Sequence, residues 1–168
     1  MNSKIFSIFR GVIFSTFICL FVATGTYGGE YNALDGLNDI KVVFDVRAKK
    51  VKKAAIYLDL IHETFKDQSI LNVSKQPDFA VVFAGGISKF VSSNTEEFSD
   101  EEKVLIRRIV NRVSAMEKDG IKLEICLFAV NLAGVDPATL LPEIKQVDNG
   151  WISLIGYQAK GYSLVAAF

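Results

Sequence analysis

The chain has 168 residues, of which half are apolar and 23% are charged. This composition is typical of one ordinary globular domain and excludes the collagen-like, disordered and disulfide-rich classes. Lys and Arg together number 19, as do Asp and Glu, so the chain carries no net charge. Phosphate binding needs a concentrated basic surface, so we expect no nucleic-acid partner.

The first thirty residues follow the three-part pattern of a secretory signal peptide. Lys4 and Arg10 form a positive start, residues 11–23 are mostly apolar, and small residues follow. The apolar run is well short of the ~20 residues that span a bilayer as a helix. We therefore predict a cleaved signal peptide over residues 1–28, a periplasmic or secreted protein, and no stable membrane span after cleavage. An uncleaved N-terminal membrane anchor is the alternative.

Signal cleavage would leave Cys126 as the single cysteine, because Cys19 lies within the apolar run. Loss of Lys4 and Arg10 from the 19 basic residues would leave 17 against 19 acidic ones, a net charge of −2. An exported domain with one cysteine has no internal disulfide. Its thiol is buried and inert, paired with another molecule, or reactive.

Beyond a polar linker over residues 29–40, strand and helix patterns alternate through a predicted domain of residues 41–168. Short β-branched or apolar runs predict strands at 41–46, 79–84, 122–130, 143–147 and 162–167, with a helical end possible in the third. Apolar residues at helical spacing predict helices at 52–71 and 151–160, with shorter ones at 87–91 and 136–141. This order predicts an open, mostly parallel five-stranded sheet covered on both faces, a three-layer α/β/α sandwich.

A further helix is predicted to begin after Ser99, which forms a capping box with Glu102, and to end at Asp119-Gly120. Five apolar residues are predicted to form its core-facing side: Val104, Leu105, Ile109, Val113 and Met116. Arg107, Arg108 and Arg112 are expected on its solvated side.

Ligands of open parallel sheets bind at the carboxyl ends of the strands, which directs attention to three places in the sequence. Gly85 and Gly86 follow the second strand, Cys126 lies in the third, and Gly150 lies near the start of the last helix. The glycines are weak candidates for a ligand loop, since a glycine pair also forms plain tight turns. Among these residues, Cys126 alone is a chemical candidate.

His62 is the only histidine, which excludes a His-based zinc site by count. We expect neither a metal nor a cofactor. A nucleophilic pair of Cys126 with His62 is arithmetically possible, but a histidine at a helix boundary with no chemical role is the simpler interpretation.

The segment 120–168 resembles the DsrE/DsrF-like family. The resemblance is carried by Gly120, Cys126 and Gly150 and by the run Gln158, Gly161 and Tyr162, and the earlier runs KVVFDV and DFAVVFAGG also look like the family. It implies a flavodoxin-like three-layer fold and a homo-oligomer, a trimer or hexamer. It also implies a cysteine that carries sulfur as a persulfide and passes it to a partner thiol. Cys126 matches the position of a cysteine that recurs in the family.

These observations lead to two hypotheses of different classes. In the first, the protein handles sulfur outside the cytoplasm through Cys126, as a persulfide carrier or a sulfurtransferase-like protein with a donor or acceptor protein partner. In the second, it is a non-catalytic oligomeric binding or assembly module with Cys126 buried. The apolar neighbours Ile125, Leu127 and Phe128 favour the second hypothesis. Whether the protein is an enzyme is open at this level.

Overall fold

The computed structural model describes residues 31–168, and the predicted signal peptide therefore lies outside the described residues. Five strands form one sheet in the order β4-β3-β2-β1-β5, and all neighbouring strands are parallel. They are β1 (Lys41–Val46), β2 (Asp78–Phe83), β3 (Lys122–Cys126), β4 (Lys145–Val147) and β5 (Ser163–Ala167). The expected parallel α/β fold is confirmed.

Five α-helices connect these strands, together with 3₁₀ turns at Gly85–Val91 and Pro137–Thr139, and a further 3₁₀ turn at Asn32–Leu34 precedes β1. The helices are α1 (Val51–Lys66), α2 (Gln68–Val73), α3 (Asp100–Lys118), α4 (Leu127–Leu132) and α5 (Gly150–Ala159). From β1 to β4 the chain moves across the sheet in one direction, and it then returns to place β5 beside β1. Because parallel crossovers are right-handed, this reversal puts α5 on the face opposite to α1 and α3.

The two faces of the sheet bury different amounts of apolar surface. Phe79, Val81 and Phe83 of β2 belong to the larger core, with residues of α1 and α3 such as Leu58 and Ile109. The alternate residues of the sheet form a smaller core under α5, made of Val43, Ala80, Val82, Leu154 and Tyr162. Every second side chain of a strand points to the same face, and here both faces of β1 and β2 are buried.

Three predicted elements differ clearly in extent from the observed ones. The predicted helix at 136–141 is only the 3₁₀ turn Pro137–Thr139. The third strand pattern was expected over residues 122–130 with a helical end possible; the strand ends at Cys126 and the chain turns directly into α4, so the end is helical. The first helix was expected to run from 52 to 71, but Asp67 is extended and caps a separate helix by accepting a hydrogen bond from the Ser69 amide at 2.8 Å. Asp at an N-cap satisfies a free amide of the first turn, which stabilises the break.

The α3 helix begins with the predicted capping box of Ser99 and Glu102, but its predicted faces are partly wrong. Val104 is 55% exposed, whereas Ile106, which the pattern left out of the core, is 2% exposed. Arg108 and Arg112 are not simply solvated, because both bind the buried carboxylate of Asp59 on α1. The buried stripe is therefore rotated relative to the predicted one.

Within residues 31–168, none of the helices is both long and apolar enough to cross a membrane.

Candidate functional site

Cys126 lies at the carboxyl end of β3, on the sheet face that α5 covers. Two residues earlier on this strand, Glu124 accepts a hydrogen bond at 3.2 Å from the hydroxyl of Tyr157, which belongs to α5. Since side chains alternate along a strand, Cys126 points to the same face as Glu124. The residue is only 6% exposed.

The first turn of α5 lies directly against Cys126. Asn149 caps this helix, and its side-chain oxygen accepts a hydrogen bond from the Trp151 amide at 3.0 Å. At the next position, a Cβ on Gly150 would lie 2.9 Å from Cys126 Cβ, 3.1 Å from Val82 Cγ1 and 3.7 Å from Cys126 Sγ. Only glycine leaves room for this approach, which brings the helix backbone beside the thiol.

The sheet topology places this contact at a switch point. The connections after β1, β2 and β3 lead to one face of the sheet, while the connection after β4 leads to α5 on the opposite face. The chain therefore leaves the neighbouring strands β3 and β4 towards opposite faces of the sheet. This divergence leaves a crevice at the carboxyl ends of the two strands. Ligands of open α/β sheets bind in such crevices.

An ion pair from β1 lies at the same edge of the sheet. Asp45 is 5% exposed, and both of its carboxylate oxygens accept hydrogen bonds from Arg47 Nε, at 2.9 and 3.0 Å. These bonds raise the pKa of the Arg47 guanidinium; burial opposes the rise, and the negative charges of Asp45 and of a Cys126 thiolate add to it. Arg47 is thus held as a cation at this edge of the sheet.

These groups share a cavity of about 400 Å³, a size within the usual range for small-molecule sites. Cys126, Asp45, Arg47, Asn149 and Gly150 lie on its wall. The remaining wall is mostly apolar and consists of Val82, Ala84, Gly85, Phe128, Ala129, Leu132, Trp151 and Leu154. Three large apolar side chains of this wall are strongly exposed: Phe128 (71%), Leu132 (81%) and Trp151 (63%).

The predicted site residues are brought together with one exception. Gly85 lines the cavity and has a φ of +67°, a conformation that glycine adopts readily after a strand. Gly86 faces elsewhere, because a Cβ there would lie 3.0 Å from Lys49 Cα and 3.1 Å from the Ala48 carbonyl oxygen. Its role is close backbone contact with the segment after β1, not the cavity.

His62 and Cys126 do not form a pair. His62 is 2% exposed, and its Nε2 lies 2.6 Å from Asp119 Oδ2, just before β3 begins. Cys126 is at the opposite end of that strand. The Nδ1 atom of His62 lies 2.8 Å from Arg112 Nη1. Because arginine can only donate, Nδ1 accepts and the hydrogen on Nε2 is donated to Asp119. The histidine joins α1 to α3 through two contacts that the sequence did not reveal.

Sequence reasoning missed Asp45 and Arg47. Both belong to a local pattern, a carboxylate inside a β-branched strand followed two residues later by arginine, which places both side chains on one face. That pattern indicates an ion pair but not its neighbours, because the position of β1 relative to β3 depends on the strand order. The exposed apolar residues Phe128 and Leu132 were missed because the sequence left open whether residues 127–130 continue the strand or turn helical, and so did not define α4.

The fold also occurs in solved structures. A protein of unknown function from Methanobacterium thermoautotrophicum, MTH1491, superimposes with a TM-score of 0.59 at 16% identity, over 76% of this chain and 99% of that one. The ychN protein of E. coli superimposes with a TM-score of 0.53 at 8% identity, over 76% of this chain and 98% of that one. The fold is of the DsrE-like type.

Sequence comparison adds a distant relative. An uncharacterised protein of Aquifex aeolicus (strain VF5) is 24% identical over 127 residues, which are 75% of this chain. The match spans about half of that protein, 55% of its length. No family model matches the chain. At these identities the likenesses establish the fold and leave the chemistry to the residues of the cavity.

Proposed function

We propose that this protein carries sulfane sulfur as a persulfide on Cys126. The observation that supports the proposal most directly is that the Cys126 side chain lines a 400 Å³ cavity together with Arg47. A thiol in an ordinary core has no such space beside it. The DsrE-like fold and the resemblance of residues 120–168 to the sulfur-relay family agree with the proposal.

The chemistry consists of two exchanges at sulfur. The Cys126 thiolate attacks the outer sulfur of a persulfide or polysulfide, a new S–S bond forms, and the old S–S bond breaks with its electron pair leaving on the donor thiolate. In the second exchange an acceptor thiolate attacks the outer sulfur on Cys126, and the Cys126 thiolate leaves. Neither step needs an oxidant or a reductant. The Arg47 guanidinium supplies a positive charge near the anionic persulfide.

The second candidate function is a binding or assembly module in which Cys126 is inert. The 6% exposure of Cys126 favours it, because buried cysteines behave as small apolar residues. The two functions differ in the reactivity of the native thiol, which is open to direct measurement.

The decisive experiment uses the full chain with Cys19→Ser, so that Cys126 is the sole thiol whether or not the N-terminus is cleaved. The native protein should react with iodoacetamide at neutral pH faster than a cysteine in an unfolded peptide. Incubation with polysulfide should add the mass of sulfur atoms to this protein and not to the variant that also carries Cys126→Ser. A thiol that reacts only after unfolding would establish the inert module instead.

We also propose that the protein is exported, on the strength of Lys4, Arg10 and the apolar run that follows. Protein recovered from the extracytoplasmic fraction should begin between Thr26 and Glu30, where small residues permit signal cleavage. N-terminal sequencing of the recovered protein tests this, and a full-length cytoplasmic product would contradict it.

Self-association through α1 and β5 is a further part of the proposal. A cavity of about 380 Å³ lies between these elements, lined by apolar residues such as Leu60 and Val165. Leu60 is 59% exposed and Val165 is 43% exposed. Within the described sheet, β5 is an edge strand that pairs with β1 alone, so its outer edge is open to a strand of a second copy.

A further inference from the structure

The shape and polarity of the Cys126 cavity carry information about the donor. Its wall is mostly apolar, and its exposed rim is formed by Phe128, Leu132 and Trp151. Exposed apolar side chains grouped around a pocket mark a binding site for a partly apolar molecule. A small inorganic anion such as thiosulfate gains nothing from these three side chains. An organic group with an aromatic or branched body buries them.

The charge in the cavity indicates where the polar end of the donor lies. Arg47 uses Nε to bind Asp45, and within residues 31–168 its two terminal nitrogens make no hydrogen bond to the protein. Asp45, itself more than nine-tenths buried, anchors the guanidinium through Nε. A guanidinium held in this way presents a pair of parallel N–H donors, the geometry that binds two oxygens of one anion.

We propose that the donor for Cys126 is a small organic thiosulfonate, R–SO₂–S⁻, with an apolar R group. This inference rests on the persulfide function proposed above and names its substrate class. The sulfonyl oxygens bind the terminal nitrogens of Arg47, R packs against Phe128, Leu132 and Trp151, and the outer sulfur faces Cys126.

The transfer step balances without any further reagent. The Cys126 thiolate attacks the outer sulfur of R–SO₂–S⁻ and forms the Cys126–S–S⁻ persulfide. The bond between the two donor sulfurs breaks, and its electron pair leaves with the sulfinate R–SO₂⁻. The two reactants together carry two negative charges, and so do the two products. Arg47 binds the sulfonyl oxygens before transfer and the sulfinate oxygens after it. Because the negative charge on these oxygens increases during transfer, the stabilisation by the guanidinium also increases along the reaction.

The first experiment measures persulfide formation on Cys126 by intact mass, in the full chain with Cys19→Ser. Benzenethiosulfonate should load Cys126 at least tenfold faster than thiosulfate or methanethiosulfonate at equal concentration. Arg47→Gln should lower the rate with benzenethiosulfonate about tenfold or more, while Arg107→Gln, an exposed arginine of α3, should leave it unchanged. Leu132→Asn, at a side chain that is 81% exposed, should reduce the preference for the benzene over the methane compound.

The second experiment tests occupancy without sulfur transfer. Benzenesulfonate, which has no transferable sulfur, should slow the alkylation of Cys126 by iodoacetamide, and Arg47→Gln should abolish this protection.

The outcomes separate the donor from the function. Loading by polysulfide with no preference for benzenethiosulfonate and no protection by benzenesulfonate would overturn the organic donor and leave the persulfide function standing. A persulfidated protein as the donor would give this result. Failure of every donor to load Cys126 would overturn both proposals, even if benzenesulfonate protects the thiol.

Discussion

Gly150 lies so close to Cys126 that a methyl group on its α-carbon would approach Cys126 Cβ to 2.9 Å. That distance is shorter than two side-chain carbons tolerate. The first turn of α5 can therefore pack against the end of β3 only because residue 150 has no side chain. The contact joins the end of β3 to α5, which follows β4 on the opposite face of the sheet. It therefore holds α5 beside the crevice in which Cys126 lies.

Substitution of Gly150 by alanine tests this contact. Gly150→Ala should lower the free energy of unfolding by about 1–3 kcal/mol, because the added methyl group displaces α5 or β3. Gly156→Ala is the matched control, since Gly156 lies in the same helix with nothing within 4 Å of the added carbon. It should raise stability by about 1 kcal/mol through helix propensity alone. Urea unfolding of both variants gives the comparison, and equal effects would contradict a close contact at Gly150.

The buried histidine should matter for stability and not for sulfur chemistry. His62→Phe removes the hydrogen bonds of the ring to Arg112 and Asp119, which keep Asp59 and Lys66 respectively as partners, so the free energy of unfolding should fall by about 1–3 kcal/mol. Glu63→Gln, at an exposed neighbouring position, should have no measurable effect. The reaction of native Cys126 with iodoacetamide should be unchanged in both variants. A selective loss of thiol reactivity in His62→Phe would contradict this assignment.

Asp78 should contribute to acid sensitivity. Burial, the largest single influence, acts to raise the pKa of Asp78, but hydrogen bonds from Lys122 and Tyr162 and the charges of Lys122 and Lys41 together lower it below its ordinary 3.8. A carboxylate with a lowered folded-state pKa stabilises the protein fully above the unfolded-state value, and this stabilisation is lost as the pH falls through the folded-state value.

The urea midpoint of the wild type should therefore fall between pH about 5 and pH about 2, and part of this fall should be absent in Asp78→Asn. The missing part is modest, because Asp78 and Lys122 are both partly exposed. Asp35→Asn is the control, since Asp35 is exposed. If the urea midpoints of Asp78→Asn and wild type fall equally with pH, the hydrogen bonds of Asp78 to Lys122 and Tyr162 do not contribute to acid sensitivity.

The oligomer should depend on the surface between α1 and β5. Leu60→Lys places a charge in that surface, so light scattering should show a smaller species than the wild type gives at the same concentration. Val104→Lys adds the same charge at a comparably exposed apolar residue of α3 and should leave the assembly unchanged. A monomeric wild type at micromolar concentration would contradict the proposed self-association.

Local patterns predicted the parts of this protein that depend on local physics. The β-branched run of β1 was placed at Lys41–Val46, and the capping box of Ser99 and Glu102 was found at the start of α3. The apolar residues after Cys126 fit a strand or a helix equally well, so the end of β3 was missed. Helical spacing also did not reveal that Asp59 and His62 are partners of Arg112, because that contact depends on how α1 and α3 pack together.

The candidate site was predicted in part for the same reason. Cys126 and Gly150 were singled out because thiols and glycines are chemically distinctive in any fold. Arg47 was not, because a charged residue after a strand is usually a solvated one. The importance of Arg47 follows from the strand order, which brings the carboxyl ends of β1 and β3 to the same edge of the sheet. The helix α5 covers the sheet face on which both ends lie.

The position of β1 between β2 and β5 has a consequence for the order in which the sheet forms. One edge of β1 pairs with β2, which follows it closely in the sequence. The other edge pairs with Ser163–Ala167, and almost all of the described chain lies between these two strands. Until β5 pairs, a sheet of the four strands β1 to β4 leaves that edge of β1 unpaired. The apolar residues Val43 and Phe44 lie beside this edge. Pairing at such sequence separation is slow, so β1, the first of the described strands in the sequence, is the last of them to be enclosed.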